Sequence, residues 1–208
     1  ELNPAITPDK FQRIIEEKYS ADIMFLIQQA NLRSEQLKSE QMNALHNEIK
    51  AATEAPNKEL TNINVASFAS PDGGVKLNTT LAENREKNTV NYMKKSLKKG
   101  KIDADMTAEF TAQDWEGFKE LVSKSNIQDK ELILNVLSMY SDPEQREREI
   151  KNMSSVFKVL AEEILRQLRY SRITASVNVI GKSDEEISKL AKEDAKACLL
   201  YTSPSPRD

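Results

Sequence analysis

Apolar and polar positions follow two different periods along this chain, and the changes between them predict the order of its elements. A continuous apolar run over residues 22–27 has the length of a strand covered on both faces. Residues 60–68 alternate between apolar and polar side chains, and residues 102–110 do so most regularly, as in strands with one buried face. A last alternating run covers residues 173–179, so the pattern predicts four strands.

Helical periodicity occupies the segments between these strands. Ser39 is placed to cap a helix in which Met42, Leu45 and Ile49 share one face. A Ser-Pro-Asp-Gly-Gly turn at residues 70–74 stops the second strand and precedes a long helix. That helix is predicted to close with Lys94, Lys95, Lys98 and Lys99, which complement the helix dipole, and Gly100 is predicted to be the residue after it. Contact of these lysines with an anionic polymer or a lipid head group is the alternative interpretation.

Residues 111–168 read as helical throughout, interrupted where Pro143 restarts the pattern at a first helical position. With this block, the order β-α-β-α-β, helices, β predicts an α+β domain over residues 21–182. We expect its helices to pack on a mixed sheet, with a mostly helical insertion at about residues 111–168, before the last strand.

The two ends of the chain are predicted separately. Residues 1–20 are interpreted as a lead-in helix or linker, and residues 183–197 begin a further helix with a capping box. Residues 198–208 resemble the translation of a sequencing-library adapter, so we treat them as an artefactual tail of a metagenomic fragment. A genuine Ser/Pro tail is the alternative. The first residue is not Met, and no basic-then-apolar signal pattern follows it.

Composition narrows the possible chemistry. The chain has 208 residues, 38% of them hydrophobic, which is enough for the core of one domain. Its net charge of −3 creates no positive electrostatic field that would attract nucleic acid. No run reaches the length of a membrane span. The single cysteine, Cys198, lies in the tail, and the single histidine, His46, is predicted to be a solvated surface residue. We therefore predict no metal site, no cofactor and no catalytic site.

The order and spacing of several residues resemble the C-terminal, peptidoglycan-associated domain of the outer-membrane protein A (OmpA) family. Residues 23–37 resemble the opening strand of that domain and its approach to the first helix, and residues 169–179 resemble its closing strand. The match covers residues 21–110 and 169–181. The turn-and-helix signature of the family is matched by Asn78, Leu81, Arg85, Tyr92 and Met93.

This resemblance implies a ligand site for the diaminopimelate of the peptidoglycan stem peptide. In the family, an Asp in the turn meets the ammonium group of that ligand, and an Arg in the helix meets its carboxylate. Arg85 matches the family Arg, whereas Ser70 stands where the family has its Asp, and Asp72 lies two residues later. The candidate ligand-binding residues are therefore Ser70, Asp72, Asn78 and Arg85.

Three of the candidates also have another interpretation, and for Asp72 it is a carboxylate that faces solvent. Asn78 is equally suited to cap the helix, whereas Arg85, judged on the sequence alone, is expected to lie at the surface or pair with Glu83 or Glu86. Two features depart from the family: Glu86 and Thr89 replace small or apolar residues, and the helical insertion is far longer than the usual link.

The resemblance implies a non-catalytic module of a Gram-negative-type cell envelope. It would bind the peptidoglycan stem peptide at the periplasmic face of the outer membrane. The alternative is a protein–protein interaction scaffold that contacts envelope proteins and keeps the OmpA-like fold without binding peptidoglycan. Convergence of Arg85 and a carboxylate on a pocket favours ligand binding, whereas internal pairing of Arg85 favours the scaffold.

Overall fold

Four strands form a single mixed sheet in the computed structural model, which describes residues 13–182 together with positions 186 and 189. The strands are β1 (Ile14–Met24), β2 (Lys58–Phe68), β3 (Asp105–Thr111) and β4 (Tyr170–Ile180). Their order across the sheet is β1-β4-β2-β3. β4 runs antiparallel to β1 and to β2, whereas β2 and β3 are parallel. This confirms the α+β class and the mixed sheet.

Helices connect the strands in two groups. Between β1 and β3 lie α1 (Ser34–Leu37), α2 (Glu40–Glu54) and α3 (Val75–Gly100). Between β3 and β4 lie α4 (Trp115–Lys124), α5 (Lys130–Met139), α6 (Pro143–Asn152), α7 (Ser154–Glu163) and a 3-10 turn (Leu165–Leu168). The second group is the predicted helical insertion. Within the described residues, no helix combines the length and the apolarity needed to cross a membrane.

One face of the sheet is buried beneath α2 and α3. Alternate residues of the two central strands point into this core, where they meet the apolar faces of both helices. The Ser39 side chain accepts a hydrogen bond from the Met42 amide and so begins α2 as predicted. The core includes Ile63, Val65, Ile173, Ala175, Met42, Leu45, Ile49 and Met93.

The helical insertion has a hydrophobic core of its own. Phe118 and Val122 of α4 pack with apolar residues of the following helices and of the 3-10 turn. None of the buried residues of this cluster belongs to the cluster beneath the sheet. The insertion is therefore a helical subdomain joined to the sheet through the ends of β3 and β4.

The prediction of a lead-in helix or linker is wrong for residues 14–20, which belong to β1. β1 begins at Ile14, pairs with β4 along its whole length, and ends at Met24, before the predicted apolar run is complete. β1 is an edge strand whose first half leaves most side chains exposed, so its strand character comes from backbone pairing rather than from an apolar pattern. Residues 1–12 lie outside the described part of the chain.

Two further boundaries differ from the prediction. Gly100 is the last residue of α3, and Lys101 takes the left-handed conformation after it, with φ 56°. β3 begins at Asp105 and is an edge strand with mostly exposed side chains, so it lacks the buried face that was predicted. The helix predicted from residue 183 and the tail lie outside the described residues, except that positions 186 and 189 are helical.

His46 lies half-buried between α2 and α3 and is not a solvated surface residue. Its Nε2 atom is 3.1 Å from the Tyr92 hydroxyl, and the two rings meet edge to face at 6.1 Å between centroids. Burial lowers the pKa of His46 below its ordinary value because the charged ring loses solvation.

We predict that this histidine makes the protein less stable as the pH falls. The native pKa lies below the unfolded value of about 6.5, so the unfolded chain takes up the proton first and stability declines below that pH. The free energy of unfolding, measured with urea, should fall between about pH 7.5 and about pH 5.5 in both proteins. The fall should be smaller for His46→Gln than for the wild type. Equal losses in the two proteins would contradict the prediction.

Candidate functional site

The structure brings the four predicted site residues together around a small cavity at the end of β2. The turn at residues 70–74 forms one wall and the first half of α3 forms another. The cavity has a volume of about 10 Å³. It is lined by Ile27, Gln28, Ala69, Ser70, Asp72, Asn78, Leu81, Arg85 and Arg169. Arg169 directly precedes β4, and sequence reasoning did not identify it as a site residue.

Arg85 projects from α3 into the interior, where it is only 1% exposed. Its guanidinium group donates to three backbone carbonyls: Nε to Gln29 at 3.0 Å, Nη1 to Phe68 at 2.7 Å and Nη2 to Leu26 at 3.4 Å. The Phe25 ring lies beneath it, with 5.0 Å between Cζ and the ring centroid. Arg85 therefore joins the loop after β1 to the end of β2.

The surface interpretation of Arg85 is wrong, and so is its pairing with a neighbouring acid. Glu83 pairs with Lys87, one turn later on α3. Burial, together with the nearby charge of Arg169, lowers the pKa of Arg85 to about 10, while Asp72 acts in the opposite direction. At neutral pH the guanidinium remains protonated, so a buried positive charge is held mainly by carbonyl dipoles.

Asp72 pairs with Arg169 rather than with Arg85. Its Oδ2 atom is 2.9 Å from Arg169 Nη2, and its Oδ1 atom accepts a hydrogen bond from the Ser70 hydroxyl. Arg169 Nε donates to Ser70 Oγ at 3.2 Å, which closes the network. We call Ser70, Asp72, Arg85 and Arg169 the clamp cluster.

The position of Arg169 follows from the sheet and not from the local sequence. β2 and β4 are antiparallel neighbours, and Ser67 pairs with Ser171. The end of β2 therefore lies beside the start of β4, which places Arg169 next to the turn although about 100 residues of chain separate them. Only the strand order could have revealed this contact.

Asn78 braces the turn and does not cap the helix. Its Nδ2 atom donates to the carbonyls of Ser70 and Gly73, each at 3.1 Å, whereas the residue at the N-cap of α3 is Gly74. Gly73 has φ 124°, a conformation that only glycine adopts without strain. The turn is thus fixed from the α3 side by a buried amide.

The electrostatics of the cavity are unbalanced. Its described lining contains two guanidinium groups, those of Arg85 and Arg169, and one carboxylate, that of Asp72. The volume has room for about one water molecule. The site therefore carries excess positive charge but, in this conformation, has no space for a stem peptide.

Neither a search for metal-binding groups nor a comparison with known proteins assigns a function to this site. Among the described residues, no group of three or more His, Cys, Asp or Glu side chains is arranged to hold a metal ion. No protein-family model matches the sequence, and a comparison with curated proteins finds no significant match. The OmpA-like resemblance therefore stays a prediction that rests on the residues described above.

We predict that Arg85→Ala lowers the free energy of unfolding by about 3 kcal/mol, because three partly buried carbonyls lose their donor and a cavity is left. Arg85→Lys should be intermediate, since one ammonium cannot reach all three carbonyls in the geometry of the guanidinium. Urea unfolding followed by circular dichroism measures both effects.

Lys95→Ala is the matched control, because Lys95 is exposed on the same helix, and its unfolding midpoint should equal that of the wild type. A midpoint for Arg85→Ala that also equals the wild-type value would show that the carbonyl contacts do not stabilise the fold.

Proposed function

We propose that this chain is a non-catalytic interaction scaffold of a Gram-negative-type cell envelope, with an OmpA-like fold whose ligand clamp is paired within the chain. The observation that carries the proposal is the internal pairing of the clamp cluster. Arg85 donates to three backbone carbonyls, and Asp72 is paired with Arg169. A ligand would have to break these contacts before it could form its own.

The organisation of the helical insertion also supports a scaffold. It has its own hydrophobic core, and every described lining residue of the clamp cavity lies outside residues 111–168. The insertion thus adds a folded surface to the domain without adding a group to the cavity. A subdomain of this kind is suited to contact other envelope proteins.

Peptidoglycan binding is the second candidate, and the excess positive charge of the cavity favours it. Two guanidinium groups face one carboxylate, so the carboxylate of a stem peptide would restore the charge balance. The cost is that Asp72 has to leave Arg169 and the turn has to move, because the present cavity cannot admit the ligand.

Sedimentation with purified peptidoglycan sacculi separates the two candidates. The scaffold proposal predicts that the wild type and Asp72→Asn both stay in the supernatant, while a peptidoglycan-binding OmpA domain, run as the positive control, sediments. Ser70→Asp restores a carboxylate where the resemblance places one. If this variant sediments with the sacculi while the wild type does not, the loss of peptidoglycan binding is assigned to position 70. Retention of the wild type that is lost in Asp72→Asn would refute the scaffold proposal and establish ligand binding.

The scaffold proposal also predicts that envelope partners depend on the helical insertion. Replacing residues 112–168 by a flexible linker should preserve the sheet, because the two hydrophobic cores are separate. Cross-linking in cells that carry the gene should then recover partners with the wild type and lose them with the replacement, provided that circular dichroism shows a folded sheet. An unchanged set of partners would contradict the role given to the insertion.

A further inference from the structure

Side chains of the helical insertion form hydrogen bonds with the turn at residues 70–74, although none of them lines the clamp cavity. Glu147 on α6 accepts a hydrogen bond from the Gly73 amide at 2.8 Å. Gln113, between β3 and α4, donates to the Gly73 carbonyl at 3.0 Å. Both polar groups of one glycine are therefore held by side chains of the insertion.

The setting of Glu147 favours a strong and specific contact. Its side chain is only 14% exposed, and its carboxylate also pairs with Lys151, one turn later on α6. Together with Ile150 on the same helix, it lines an apolar cavity against Pro71 and Asp72. A charged acceptor in such a partly dry position makes a stronger hydrogen bond than a neutral acceptor in water.

The Gly73 amide belongs to the same peptide unit as the Asp72 carbonyl. Holding that N–H fixes the orientation of the peptide plane and thus the backbone angle ψ of Asp72, because the peptide unit is rigid. The direction of the Asp72 side chain depends on that backbone. Asp72 is the residue next to Gly73. The contact at the Gly73 amide therefore influences the ion pair between Asp72 and Arg169.

We propose that Glu147 is a positioning residue that, through the Gly73 amide, keeps the Asp72 carboxylate on Arg169, so that the helical insertion holds the clamp cluster in its paired state. The name clamp rests on the proposed function, but the mechanical link between Glu147 and Arg169 does not. Anything that displaces α6 would release Asp72 and leave both guanidinium groups facing the cavity with less neutralising charge.

Hydrogen exchange in the full chain, followed by NMR, tests this link without a ligand. The chain has five glycines, so labelling with ¹⁵N-glycine gives a simple spectrum that contains the Gly73 amide. Labelling with ¹⁵N-arginine reports the Nε–H group of Arg169, which is bonded to Ser70. In Glu147→Ala, both groups should exchange about tenfold faster than in the wild type, because loss of the hydrogen bond favours local opening.

Two variants on the same helix serve as controls. Glu147→Gln keeps an acceptor oxygen for the Gly73 amide and should restore near-wild-type exchange at both groups. Glu144→Ala removes an exposed carboxylate from the first turn of α6 and should change neither. If Glu147→Ala fails to fold, Glu147→Leu, which fills similar space but has no acceptor for the Gly73 amide, takes its place and is judged by the same two signals.

Three results would overturn the proposal. They are unchanged exchange at Gly73, faster exchange at Gly73 with no change at Arg169, and equal effects of Glu147→Ala and Glu147→Gln. Sacculus sedimentation of the same samples tests the proposed function separately, since retention of the wild type would refute the scaffold and leave the exchange result standing.

Discussion

The buried guanidinium of Arg85 is the interaction on which the arrangement of this domain depends. It donates to backbone carbonyls of the loop after β1 and of the last residue of β2, while its own backbone lies in α3. Those carbonyls are partly buried and lie where regular pairing ends, so without Arg85 they would have too few donors. The desolvation that lowers its pKa to about 10 is the cost of this position. One charged side chain thus joins three separate segments of the chain.

This use of Arg85 changes the chemistry of the site around it. A guanidinium that is already engaged by three carbonyls has fewer N–H groups left for an incoming carboxylate. Asp72 is engaged as well, by Arg169 and by the Ser70 hydroxyl. The residue types of a zwitterion clamp are present, but their first partners are one another and the backbone. This pairing is why the geometry favours a structural role over ligand binding.

The sequence was informative where burial follows a local pattern and uninformative where backbone pairing or chain topology decides. Alternation predicted β2, and the cap at Ser39 predicted α2, because both depend on neighbouring residues. β1 was missed over residues 14–21 because an edge strand buries few side chains there. The four candidate site residues do converge, but the partner of Asp72 is Arg169, which only the antiparallel pairing of β2 and β4 brings to the turn. The contact between His46 and Tyr92 likewise depends on how α2 and α3 pack.

The two halves of the clamp cluster differ in how readily they could move. Arg85 cannot leave its position without breaking hydrogen bonds to three carbonyls on two segments and losing the Phe25 ring beneath it. Asp72 lies on a turn with two glycines, and its position depends on contacts made by Asn78, Gln113 and Glu147 to that turn. Two of these three side chains belong to the helical insertion. A change in the availability of the site therefore has to come through the turn, and the insertion is the element placed to control it.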